Sequence, residues 1–301
     1  MKCLVTGAAG FIGSNLVDEL LLKGHEVIAF DNETSSPSYW NNEAKNFNSK
    51  YWQDQIFSQF KPDWVFHLAA QSSIQKCIEN PYDSTQENFN FTIKMLELSR
   101  SHEVKKFIFS STSAVYGLEN RPPLKESMRT DCLNPYSAAK LASEKFCKLY
   151  YNLYGLKTVS LRYFNVYGKR QRSSGQYAPV VGTFLNKYKN KNKLTVVGDG
   201  KQIRDYVHVK DVVRANILAA ESNKKEINGD IFNVGSGKGY SILDLVKMIG
   251  GDIEYIPERE GEARVSLSDI SKIQDVLGWT PAEKLKSYIQ EQKKIIDIND
   301  V

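Results

Sequence analysis

Tyr136 and Lys140 lie four residues apart in Asn134-Pro135-Tyr136-Ser137-Ala138-Ala139-Lys140. Residues at i and i+4 share one face of a helix, and Pro135 suits a first helical turn. A phenol titrates near ~10. An ammonium on the same face would draw it toward the operating pH, as a general base requires. An ordinary amphipathic helix, with its tyrosine in the core and its lysine in water, would show the same pair. The preceding segment favours chemistry: strand-like Phe107-Ile108-Phe109 runs into a row of hydroxyls, Ser110-Ser111-Thr112.

A second constellation opens the chain. Thr6-Gly7-Ala8-Ala9-Gly10-Phe11-Ile12-Gly13 follows an apolar strand and leads into a helical stretch. In such a turn Gly7 permits the tight bend, Gly10 lets backbone approach a pyrophosphate, and Gly13 allows close packing of helix on strand. The helix N-terminus then offers N–H groups and a positive dipole end to phosphates. Asp31 closes the next strand, 18 residues after Gly13. A carboxylate there accepts from both hydroxyls of an adenosine ribose and repels a 2′-phosphate, so the dinucleotide expected is NAD rather than NADP. The alternative is that Asp31 only caps the turn with Asn32.

The elements that must position these groups alternate. Strands are expected over 2–6, 26–30, 64–68, 106–111 and 158–163. Helices are expected over 14–23, from about 84 to 101, and over 136–154, with a polar stretch from 32 to about 51. Alternating apolar strands and helices imply an α/β fold with a doubly wound parallel sheet. After Asn165 the segments shorten, with turns at Gly198-Asp199-Gly200 and Gly235-Ser236-Gly237. This predicts residues 1–165 as a Rossmann-type, NAD-binding domain. Residues 166–301 form a smaller C-terminal α/β, substrate-binding part, with some segments returning to the main sheet. A Lys/Glu-rich amphipathic helix over 282–296 reads as a surface helix. His208, in Tyr206-Val207-His208-Val209, alternates like a strand residue and reads as structural.

Composition narrows the function classes. The 301 residues carry 40 Lys+Arg against 35 Asp+Glu, a net charge of +5 spread along the chain. Nucleic-acid arms and polybasic membrane patches are more clustered, so neither partner is expected. No apolar run approaches the ~20 residues of a membrane helix, and no signal peptide is evident. Cys3, Cys77, Cys132 and Cys147 lie far apart without a Cys-x-x-Cys pair. Reduced thiols, a cytoplasmic location and no metal are therefore expected.

Taken together, the motifs resemble the extended short-chain dehydrogenase/reductase superfamily, in its NAD-dependent epimerase/dehydratase branch. The resemblance runs from Met1 to about Pro281. It includes His67-Leu68-Ala69-Ala70-Gln71, Ser110 through Gly117, Arg162-Tyr163-Phe164-Asn165-Val166-Tyr167-Gly168, Gly198 through Tyr206, and Leu277-Gly278-Trp279-Thr280-Pro281. It implies that Tyr136 removes a sugar O4 proton, that Thr112 hydrogen-bonds that oxygen with Ser111 and Ser113 assisting, and that Lys140 holds the nicotinamide ribose. The implied cofactor contacts also include Phe11, Ile12, Asn32, Asp54 (adenine), Leu68, Ala69, Ala70, Asn88, Ser110 and Tyr163. For a nucleotide-sugar diphosphate it implies Arg204 and Arg259. Glu262 would bind the nucleotide ribose, Asn165 the phosphate–sugar region, and Val180 would line the base pocket. Homodimers are the implied assembly, through the helices over 84–101 and 136–154; Phe146, Leu149 and Leu153 fit such a face and would equally fit a core face.

Two departures select among the chemistries of that branch. Dehydratases resemble Thr-Asp-Glu where this chain has Thr112-Ser113-Ala114, and decarboxylases usually carry Glu in place of Ala114. Without that acid, C4 epimerisation of a UDP-hexose is expected. Other epimerases of the branch (UDP-glucuronate 4-epimerase, C2 or C5 epimerases) and a 4-ketosugar reductase stay open. A non-catalytic member is disfavoured because Tyr136 and Lys140 are both present. Ser266, where strict UDP-glucose/galactose enzymes tend to have Tyr, leaves room for an N-acetyl group.

Overall fold

A computed structural model describes residues 1–34, 38–48, 53–174, 178–258 and 263–299. The first half runs β1 (Lys2–Thr6), α1 (Phe11–Leu22), β2 (Glu26–Asp31), β3 (Lys45–Asn48), α2 (Gln53–Phe60) and β4 (Trp64–His67). It continues through α3 (Ile74–Glu79), α4 (Pro81–Thr85), a π-helical turn (Gln86–Asn90), α5 (Phe91–Ser101), β5 (Lys106–Thr112), α6 (Pro135–Tyr154) and β6 (Thr158–Tyr163). The second half adds β7 (Asn165–Tyr167), α7 (Val180–Lys189), β8 (Leu194–Val197), β9 (Ile203–His208), α8 (Val209–Glu221) and β10 (Asp230–Val234). Last come β11 (Gly239–Ser241), α9 (Ile242–Ile249), β12 (Ile253–Ile256), β13 (Val265–Ser266), α10 (Ser271–Leu277) and α11 (Leu285–Asn299).

Among the described residues the main sheet has seven strands in the order β10-β6-β5-β4-β1-β2-β3, all parallel. Both faces are covered, so side chains alternate between two cores. Cys3, Val5 and Ile108 pack with α1 and α8 on one face. Leu4, Phe107 and Phe109 pack with α2, α5 and α6 on the other. The chain leaves β1 for β2 and later crosses back to β4. A crevice therefore opens over the carboxyl ends of β1 and β4, where open α/β sheets bind their ligands. β10 returns from the second half to the sheet edge beside β6. A smaller sheet (β11-β9-β13, with β7 also on β9) and the β8–β12 pair stand over the crevice's other wall.

Three expectations change. The helix expected from 84 to 101 is broken into α4, the π turn and α5, and the π turn rotates Asn88 inward to 1% exposure. The polar stretch after Asn32 contains β3, an edge strand of sequence Lys-Asn-Phe-Asn with no buried residue, so no apolar alternation marks it. The C-terminal helix is more than a surface helix: Leu285 and Ile289 are buried in a third core with α7 and α9.

Candidate active site

The crevice is a cavity of about 1640 Å³, larger than the roughly 300–1,000 Å³ of a single-ligand pocket. One end is built by the glycine turn. Gly7 has φ +70°, and a Cβ there would lie 2.7 Å from the Ala69 nitrogen. Only glycine lets the end of β1 lie against the end of β4. A Cβ on Gly13 would collide with the Gly7 carbonyl oxygen, so α1 can start this close to β1 only without a side chain. Gly10 is the N-cap of α1, and no side chain caps that end. The N-terminus is thus left to an anion. Asp31 sits at the end of β2, its Oδ2 accepting from Ala9 N at 3.0 Å and its Oδ1 from Glu33 N at 2.8 Å. Each carboxylate oxygen has a second lone pair for a ribose hydroxyl. Gly7, Gly10, Phe11, Ile12, Gly13, Asp31 and Asn32 all line the cavity. A cradle that any Cβ would fill, facing an uncapped helix end and a ribose-sized carboxylate, fits a dinucleotide.

Buried polar groups hold the opposite lip. The chain Thr6 Oγ1–His67 Nδ1 (2.7 Å), His67 Nε2–Thr92 Oγ1 (3.0 Å) and Thr92 Oγ1–Asn88 O (2.7 Å) is continuous. Thr92 donates to the Asn88 carbonyl, so it accepts from Nε2–H, and Nδ1 accepts from Thr6. Burial pushes the imidazole down to about 3, so His67 is neutral in this tautomer. Thr6 Oγ1 also accepts from Ala69 N at 3.2 Å, fixing the Leu68–Ala70 segment, which lines the cavity. Asn88 is not in the wall. It stands behind it, with Oδ1 accepting from Gln71 N at 2.7 Å and Nδ2 donating to Gln71 O at 3.1 Å.

Asn134 caps α6 by accepting from Ser137 N at 2.9 Å, with Pro135 next, so Tyr136 and Lys140 project from the first two turns. Both line the cavity with Ser110, Ser111, Thr112 and Tyr163. Thr112 Oγ1 accepts from Ala114 N at 3.1 Å, which leaves its proton free to donate into the cavity. The expected pull of Lys140 on the phenol is absent. Burial pushes Tyr136 up to about 12, with the neighbouring Thr112 hydroxyl opposing it. Lys140, 2% exposed, donates to Ser110 O at 2.8 Å and lies over the Phe109 ring at 4.8 Å. Burial lowers this ammonium to about 8, and Glu144 is among the groups raising it.

Sequence reasoning missed the support behind this pair. Glu144, one turn beyond Lys140, takes Arg162 Nε at 2.8 Å and Nη2 at 2.7 Å, and also the Ser111 hydroxyl at 2.5 Å. Arg162 lies over Tyr116 at 4.7 Å. The pair ties α6 to the ends of β5 and β6. Tyr163 is held next door by donating to Asn216 Oδ1 at 2.9 Å.

At the far end, Asn165, Val180 and Arg204 line the cavity. Asn165 Nδ2 donates to Asp205 O at 3.0 Å, and Arg204 Nη1 donates to Ala263 O at 2.7 Å. Arg259 and Glu262 lie outside the described residues. Besides Asn88, three residues expected at the site are not in its wall: Ser113 sits in a 3₁₀ turn beside it, and Ser266 pairs with Arg204 across β13 and β9. Asp54 is exposed on α2, with Gln53, one residue earlier, lining the cavity instead. Side chains project about 100° apart along a helix, so a one-residue offset turns Asp54 outward. His208 is structural, as expected. It caps α8 at 3.2 Å from Lys210 N and packs among Tyr167 and Tyr288. The wall further includes Tyr206, the last residue of the Gly198–Tyr206 motif, and Tyr39, Arg170 and Arg172, which no motif announced.

A doubly wound parallel sheet with a glycine turn at its switch point, and a threonine, tyrosine and lysine facing it, defines a dinucleotide-dependent enzyme of the short-chain dehydrogenase/reductase type. The chain belongs to the NAD dependent epimerase/dehydratase family, which matches residues 3–235. It is 35% identical to the UDP-glucose 4-epimerase of Mycolicibacterium smegmatis, covering 93% of this chain and 94% of the relative. Its structure is similar to UDP-glucose 4-epimerase of Thermotoga maritima with UDP-glucose, at TM-score 0.92 and 36% identity over 100% of both chains. It is also similar to UDP-N-acetylglucosamine 4-epimerase of Methanobrevibacter ruminantium in complex with UDP-N-acetylmuramic acid. There the TM-score is 0.91 and the identity 34%, over 100% of this chain and 99% of the other.

Proposed function

We propose that this chain interconverts the C4 epimers of a UDP-hexose, with UDP-glucose and UDP-galactose as the pair. The observation that carries the reading is the convergence of Thr112, Tyr136 and Lys140 on the same cavity as the glycine turn, with no carboxylate at position 113 or 114. Bound NAD supplies a hydride acceptor and donor for C4, and a formal positive charge. Thr112 and Tyr136 meet the O4 hydroxyl. Tyr136 takes its proton as C4 is oxidised and returns it when C4 is reduced from the other face. Lys140 is fixed by Ser110 O to hold the cofactor's ribose. Burial holds the Tyr136 phenol protonated in the free cavity, and the positive charge of bound NAD would draw it downward. Arg204, Arg259, Asn165 and Glu262 are assigned to the diphosphate and the nucleotide, and Ser111 to the sugar. A sequence with Thr-Ser-Ala at 112–114 has no acid there to eliminate water. The N-acetylhexosamine pair is a second reading, supported by the similarity to a UDP-N-acetylglucosamine 4-epimerase.

Incubation with UDP-glucose, UDP-N-acetylglucosamine and UDP-glucuronate separately, without added cofactor, is read by NMR. UDP-galactose is the expected product. Turnover that requires stoichiometric reduced cofactor would instead identify a reductase.

We also infer a homodimer through α5 and α6. Leu149 and Leu153 are exposed on α6, while Phe146 turns inward onto Phe89 at 5.2 Å. Light scattering at twice the chain mass is the check. No described helix is long and apolar enough to cross a membrane, and the cysteines are free thiols. We place the protein in the cytoplasm.

A further inference from the structure

Arg170 follows β7, far in sequence from the glycine turn, yet it reaches α1. Its Nη1 lies 2.8 Å from Asp18 Oδ2, and its guanidinium stands over the Tyr39 ring at 5.6 Å. Tyr39 belongs to the loop after β2 and is pinned across the glycine turn by its N–H, which donates to Ala9 O at 2.8 Å. The other Asp18 oxygen accepts from Asn41 Nδ2 of that same loop at 2.8 Å. One turn earlier, Asn15 Nδ2 donates to Lys169 O at 3.0 Å. Asp18 therefore gathers two segments that approach from opposite sides, one from the dinucleotide half and one from the second half. Tyr39 and Arg170 both line the cavity together with Gly10, Phe11 and Ile12.

The backbone of Arg170 adds a second observation. Its φ is +70°, a left-handed conformation that a non-glycine residue adopts at a cost of about 1 kcal/mol or more. Such strain persists where the surroundings over-determine it, and it concentrates at ligand clamps. Here the Asn15–Lys169 bond and the Asp18 and Tyr39 contacts hold the strained residue. They set a positive charge on the rim above an N-terminal helix end suited to a pyrophosphate.

We infer that Arg170, clasped between the Asp18 carboxylate and the Tyr39 ring, is a strap across the dinucleotide end of the cavity that slows release of the cofactor. The inference rests on the cofactor reading and is independent of which hexose is epimerised. A strap of this kind suits a reaction in which the cofactor is regenerated every cycle and gains nothing by leaving. It joins the two halves of the chain at the cavity wall beside the glycine turn, so the contact would have to open for a dinucleotide seated on that turn to depart.

The test is the rate at which NADH, bound to the full-length protein and followed by its fluorescence, is displaced by excess NAD⁺. Arg170→Ala and Asp18→Ala should each release NADH about fivefold faster or more, the scale of a partly exposed ion pair. Because the two residues act as one clasp, Asp18→Ala/Arg170→Ala should release no faster than either single variant, within about twofold. Release from Arg170→Ala at the wild-type rate overturns the strap. So does a double variant whose acceleration is the product of the two singles. A wild-type protein that binds no NADH in this assay points elsewhere, to failure of the cofactor reading itself.

Discussion

Glu144 on α6 and Arg162 on β6 form a bidentate pair at 2.8 and 2.7 Å, with side chains 0% and 2% exposed. Truncating one partner leaves the other charge buried, at a cost of about 3–5 kcal/mol, whereas an apolar replacement of both costs far less. Glu144→Ala should therefore lose about 3 kcal/mol or more in urea unfolding, and Glu144→Met/Arg162→Met should recover most of it. Stability of Glu144→Ala within about 1 kcal/mol of wild type would contradict the pairing.

Tyr136→Phe removes only a hydroxyl from the cavity wall. The phenol is assigned the proton transfer, so kcat should fall about 10²–10⁴-fold. KM should change little, because Arg204, the described residue proposed for the diphosphate, lies elsewhere in the cavity. Thr112→Val keeps the shape but deletes the hydroxyl proposed to share the O4 contact with that phenol, and a smaller loss of kcat is expected. Steady-state kinetics on UDP-glucose settles both; a Tyr136→Phe enzyme with normal kcat removes the assigned base.

Lys140 is a buried ammonium whose folded pKa, about 8, lies below the ordinary 10.5. Between those values the unfolded chain holds a proton that the folded chain has released, so stability should rise with pH across roughly 8 to 10.5. Below pH 8 the folded state carries the full penalty of burying the charge. Lys140→Met should thus be more stable than wild type at pH 7, by on the order of 3 kcal/mol, and melt at a higher temperature, while losing activity. A Lys140→Met protein that melts below wild type at pH 7 would show that the Ser110 carbonyl and the Phe109 ring repay the desolvation.

Much of this site was legible before any coordinates. Gly7, Gly10, Gly13 and Asp31 are spaced by the geometry of one strand–turn–helix unit, and Tyr136 and Lys140 by one helix turn. Such local spacing survives folding unchanged. Glu144 meets Arg162 only because α6 packs on β6 in one register. Arg170 reaches Asp18 only because β7 leaves the sheet near α1. Spacing tells which residues share a face but not which faces meet. Lys140 differs for a related reason: sharing a face with Tyr136 does not fix the rotamer, and the Ser110 carbonyl takes the ammonium. A match of position does not fix which way Ser266 or Asp54 faces, and a one-residue turn of a helix or strand is enough to move such a residue out of a wall.

His67 offers a test of the crevice lip that needs no substrate. In the folded chain it is neutral, lowered to about 3 by burial and by the nearby Lys140 charge, while unfolded histidine titrates near ~6.5. As pH falls below that value the unfolded chain takes up a proton that the folded chain refuses. Stability should therefore decline on acidification, by up to about 1.4 kcal/mol per pH unit from this one group. His208, lowered to about 4, acts in the same direction, and Glu126, raised by burial, acts against it. The comparison of wild type with His67→Gln cancels those shared contributions. His67→Gln loses hydrogen bonds to Thr6 or Thr92 and should be less stable at pH 7.5. Its stability should then fall less steeply between pH 6 and 4.5, so the two unfolding curves converge on acidification. Parallel pH dependences would mean that His67 accepts a proton in the folded chain, and that the Thr6–His67–Thr92 chain does not lock it neutral.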